Sequence, residues 1–91
     1  MTTADIESRL KELHGLPTPV RSWIVEMGLD STDEPAVWVW IVLAREYDEV
    51  DRKARADLRE HVRASVREWV GSEAHWVYVR FHDGVLSEAA S

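Results

Sequence analysis

The stretch Ala36-Val-Trp-Val-Trp-Ile-Val-Leu-Ala44 constrains this chain more than any other. It holds nine successive apolar residues, too few to cross a bilayer. Their β-branched and aromatic side chains read as a buried strand. Its neighbours suit that reading. Residues 20–27 (Val-Arg-Ser-Trp-Ile-Val-Glu-Met) carry strand formers of their own. Between the two runs lies Gly28-Leu-Asp-Ser-Thr-Asp-Glu-Pro35, turn formers and acids that predict a hairpin loop. A third strand is expected over 75–82 (His-Trp-Val-Tyr-Val-Arg-Phe-His), closed by Asp83-Gly84, with 86–91 as a frayed tail.

Two helices frame these strands. Over 4–14, Ile6, Leu10 and Leu13 recur on one face, and Glu7 precedes Lys11 by one turn. Gly15 stops that helix, and Pro17 and Pro19 forbid its continuation. Over 48–70, Val50, Ala54, Leu58, Val62, Val66, Trp69 and Val70 fall on one side. Asp48 is the expected N-cap, with ion pairs Asp48–Arg52, Glu49–Lys53 and Asp51–Arg55 in the first turns and Gly71 at the stop.

The order αββαβ predicts an α+β fold: a small three-stranded mixed sheet with both helices packed on one face. The third strand fits beside either hairpin strand. This order resembles that of the cytoplasmic domains of cation-diffusion transporters and is related to that of KH-type RNA modules. The likeness is one of element order alone. The chain carries no G-x-x-G loop and no metal-site spacing, and no family is assigned.

At 91 residues, 1–91 reads as one domain with a thin core. Its 45% apolar and 31% charged residues match globular composition rather than disorder. No apolar run reaches membrane-span length, and the acidic N-terminus lacks a signal-peptide pattern, so no membrane partner is expected. Zero cysteines remove disulfides, thiolate metal sites and a cysteine nucleophile, and suit a cytoplasmic location. The net charge of −6 opposes bulk attraction to nucleic acid or anionic membranes.

Strand alternation divides the sheet into two faces. Val37, Val39, Ile41 and Leu43, then Val77, Val79 and Phe81, with Trp23, Val25 and Met27, are the expected core set. Opposite them fall Trp38, Trp40 and Val42; Trp76, Tyr78, Arg80 and His82; and Val20, Ser22, Ile24 and Glu26. Two helices cover one face only. Each large aromatic can bury about 150–250 Å², so Trp38, Trp40, Trp76 and Tyr78 together exceed the patch a monomer usually exposes. The expected cover is a second copy, giving a homodimer. Another protein, stacked nucleobases, the C-terminal tail and the proline-rich connector are the alternatives.

Arg55, Arg59, Arg63 and Arg67 repeat at i+4, a possible anion-binding stripe on the long helix. Asp51, Glu60 and Glu68 lie within reach, so a solvated, salt-bridged face is the expected state. His14, His61, His75 and His82 show no H-E-x-x-H or comparable spacing, and no metal or other cofactor is expected. Nucleophile-elbow, P-loop and dinucleotide motifs are missing from the sequence. The expected function is a non-catalytic interaction or assembly module working through the aromatic face. The alternatives are a nucleic-acid-binding module using the arginine stripe, and a small enzyme or ligand-binding protein with its site at an oligomer interface.

Overall fold

The apolar run becomes the middle strand. In the computed structural model, which describes residues 1–82, β1 (Val20–Leu29) and β2 (Pro35–Leu43) pair antiparallel. Trp23 lies opposite Ile41, Val25 opposite Val39 and Met27 opposite Val37. The helix α2 (Arg52–Val70) carries the chain back, and β3 (Trp76–Phe81) joins β2 in parallel, giving the order β1-β2-β3. The open question of the third strand's neighbour is thereby resolved. The strand with the most continuous apolar run takes the position paired on both edges, where burial is greatest. The expected strand end at Asp83-Gly84 and the tail at 86–91 lie outside the described residues.

Both helices pack on the same side of the sheet. Ile6 and Leu10 of α1 (Thr3–Lys11) and Leu58, Val62, Val66 and Val70 of α2 join Trp23, Val37, Val39, Ile41, Val77 and Val79 in one core cluster. Except at Val20, which a bulge before Ser22 pairs with Leu43 and packs against the core, the face predicted from strand alternation is the face that the helices bury. Met27 departs from expectation at 38% exposed. The strand β1 has ten residues and α1 only nine, lengths of about 33 Å and about 13 Å, so α1 leaves part of β1 uncovered.

The helix starts also depart from expectation. Thr2 caps α1 through a reciprocal box: its hydroxyl accepts the Asp5 N–H at 3.2 Å, and Asp5 accepts the Thr2 N–H at 3.0 Å. The long helix begins at Arg52 rather than at 48, with Asp51 at its N-cap position. Residues Tyr47–Glu49 form a separate 3₁₀ turn, and Val50 is buried between the two. Asp48 and Glu49 therefore lie outside the helical register. None of the three expected first-turn ion pairs forms among the described residues. Lys53 instead meets Asp57 at 3.2 Å, and Arg55 turns back to Tyr47. The C-terminal stop is as expected: Gly71 sits at the cap with φ 54°.

Candidate interaction surface

On the side away from the helices, the register lays out three rows across the sheet. Gly28, Ala36 and Trp76 form one, Glu26, Trp38 and Tyr78 the next, and Ile24, Trp40 and Arg80 the third. Trp38 and Tyr78 stack with ring centroids 5.8 Å apart and planes 23° from parallel. Trp38 also lies over Gly28, where an added Cβ would sit 3.8 Å from the indole ring. Trp40 meets His82 edge-on at 6.0 Å. Neither helix covers this face: Trp76 is 44% and Ile24 39% exposed. Trp38, Trp40 and Tyr78 are half-buried, because each ring lies against its neighbours.

The polar ends of these rings are tied down by carboxylates. Trp40 donates its indole N–H to Glu26 Oε1 at 3.0 Å, and Trp76 donates to Glu34 Oε2 at 2.7 Å. The Tyr78 hydroxyl reaches Asp30 Oδ2 at 3.5 Å. Asp30 itself organises the hairpin loop: its Oδ1 accepts the Thr32 hydroxyl at 2.7 Å and the backbone N–H groups of Thr32 and Glu34 at 2.8 and 3.1 Å. Bonds of this kind favour the ionised carboxyl. The Thr32 hydroxyl foremost, with the two N–H groups and Tyr78 adding to it, holds the Asp30 carboxyl below its ordinary 3.8. The face is thus charged asymmetrically. Asp30, Asp33 and Glu34 form an acidic rim at the hairpin-loop end, where Glu34 and Asp30 reach Trp76 and Tyr78. Glu26 lies on β1, whereas Arg80 stands in the row farthest from the loop, its guanidinium 5.8 Å from the Tyr78 ring.

The arginine stripe meets this face at its edge. The Arg67 guanidinium donates to the His75 carbonyl at 3.3 Å, where β3 is about to begin. Arg63 and Arg67 line a groove of about 410 Å³ with Trp76, Val77 and Tyr78. At the far end of β3, Arg55 lies 3.8 Å over the Tyr47 ring and donates to the Tyr47 carbonyl at 2.9 Å, and Tyr47 packs edge-on against Phe81. Arg59 is exposed between them. Of the acids expected to neutralise the stripe, Glu60 approaches Arg63 at 3.6 Å. Among the described residues, no group of three or more His, Asp or Glu side chains is placed to hold a metal ion.

In comparisons with protein-family models, with curated proteins and with solved structures, nothing matches the chain. No helix among the described residues is long and apolar enough to cross a membrane. Strand alternation alone brought Trp38, Trp40, Trp76 and Tyr78 together. It did not show that Glu26, Glu34 and Asp30 would hold three of their donors. Glu26 was legible as a neighbour on the same face, but Glu34 and Asp30 reach it only through the loop's conformation. Nor could the sequence join the arginines to Trp76 and Tyr78, because that contact depends on β3 being an edge strand.

Proposed function

We propose that this protein is a non-catalytic, cytoplasmic interaction module that assembles with a second copy of itself through the open sheet face. The observation that carries this reading is the flat aromatic layer of Trp38, Trp40, Trp76 and Tyr78, which neither helix covers. Aromatic side chains of this kind anchor interfaces because they bury much area at low entropic cost. Three of their four ring donors are already satisfied by Glu26, Glu34 and Asp30, so stacking would leave few polar groups stranded.

The charge asymmetry selects the second copy as occupant and sets its orientation. Two such faces related by a two-fold axis across the strands place the loop end of one copy over the Arg80 row of the other. The acidic rim then faces Arg80 of the partner, twice over by symmetry. Rotation about an axis along the strands would put the two acidic loop ends together and is disfavoured.

Light scattering across a concentration series tests the reading. A dimer at micromolar concentration is expected, with Trp38→Asp giving a folded monomer. Wild-type protein that stays monomeric at high micromolar concentration would remove the proposal, and a dimer that survives Trp38→Asp would move the interface elsewhere.

A further inference from the structure

The sheet ends on one side at β3, and among the described residues nothing pairs with the outer edge of that strand. Backbone groups along a strand alternate in direction. The His82 N–H donates to the Ile41 carbonyl of β2 at 2.8 Å, so the N–H and C=O groups of residues 76, 78 and 80 face β2. Those of Val77 and Val79 face outward. At the start of this edge, the outward carbonyl of His75 is occupied by Arg67. Unpaired strand edges are templates for a further strand.

Beside this edge runs the stripe Arg55, Arg59, Arg63 and Arg67. The contacts of Arg67 with His75 and of Arg55 with Tyr47 beside Phe81 show that stripe and strand run alongside each other in opposite directions. Their spacings are commensurate. One i+4 step on a helix advances about 6 Å, and two residues of a strand advance about 6.6 Å. A strand added at the β3 edge would therefore turn every second side chain toward one arginine of the stripe. Its other side chains would continue the open face beside Trp76 and Tyr78, whose rings close the upper side of the groove.

We propose that the groove between α2 and the edge of β3 binds an extended peptide of alternating acidic and apolar residues, which joins the sheet as a fourth strand. The acidic side chains pair with the arginine stripe, and the apolar ones pack beside Trp76 and Tyr78. Charge complementarity identifies this occupant and excludes a second copy at the same edge. Joining two β3 edges across a two-fold axis would bring two arginine stripes against each other. The face-to-face assembly proposed above does not use the outer edge, so the two proposals fail separately.

The test is fluorescence anisotropy with a labelled synthetic peptide of about ten residues alternating Glu and Val, a length that spans a typical strand. Binding at micromolar concentration is expected. The double variant Arg63→Glu/Arg67→Glu should weaken it by about tenfold or more, while leaving the mass by light scattering unchanged. N-methylation of alternate peptide nitrogens on the edge-pairing side should abolish binding, because it removes the ladder donors. Undetectable binding of the Glu/Val peptide overturns the proposal. Equal binding of a Lys/Val peptide, or of the N-methylated one, does the same. Tighter binding of a uridine oligonucleotide than of the peptide, lost in the same double variant, would assign the groove to single-stranded nucleic acid instead.

Discussion

The indole N–H of Trp76 donates to Oε2 of Glu34 at 2.7 Å across 42 positions of sequence. This bond ties the first residue of β3 to the last residue of the β1–β2 loop. The His75 ring reaches the same oxygen at 3.3 Å. Glu34 thus locks the start of the edge strand to the hairpin and fixes the ring that closes the groove beside Arg63 and Arg67.

Removing that acceptor should loosen the ring without unfolding the protein. Glu34→Ala is expected to cost under about 1 kcal/mol, since the bond is exposed and charge-assisted rather than buried. The Trp76 indole Nε1–H should exchange faster with solvent in the variant. Unchanged exchange would show that the ring is held by packing alone.

The core should respond quite differently. Leu58 is fully buried at the centre of the α2 face. Leu58→Ala should cost about 2–5 kcal/mol in denaturant unfolding, from lost transfer energy and a cavity that closes only in part. For a small domain this is a large share of the total.

Within the arginine stripe, position decides the effect. Arg59 is exposed, and Arg59→Gln should change stability by less than about 0.5 kcal/mol. Arg55 lies over the Tyr47 ring and also donates to its carbonyl. Arg55→Ala should therefore cost about 1 kcal/mol or more, through lost cation–π stacking and a lost bond to the 3₁₀ turn. Thermal unfolding of the two variants side by side measures the difference.

Acid should weaken the fold through Asp30 and Asp5. Both carboxyls are held below 3.8, Asp30 chiefly by the Thr32 hydroxyl and Asp5 chiefly by the Thr2 backbone N–H. A carboxyl whose pKa falls on folding adds stability that is present above its unfolded value and lost as pH falls through the folded one. Urea midpoints should accordingly decline from about pH 4 downward. Asp30→Asn keeps an acceptor oxygen but removes the titration, and its acid-side slope should be shallower. An identical slope would mean that the loop carboxyl is not linked to folding.

How much of this was legible beforehand follows from the range of each interaction. The helix stripes and the split between Val37, Val39, Ile41 and Trp38, Trp40 depend on periods of 3.6 and 2. These are properties of the backbone, present in any window of the sequence. The two α-helices and three strands, the face that the helices cover and the four-aromatic layer were therefore already written in the residue order. The start of α2 was not. The acids at 48 and 49 have good capping chemistry, but burying Val50 takes that segment out of helical register.

What only the tertiary structure decided is the strand order and all that depends on it. Placing β2 in the middle leaves β3, among the described residues, as an edge strand, brings Arg63 and Arg67 beside Trp76 and Tyr78, and lets Glu34 reach an indole 42 positions away. Such contacts join segments whose local patterns are satisfied equally well by either neighbour. Burial of the whole sheet, rather than any local preference, makes the choice, and it favours putting the nine-residue apolar run in the centre.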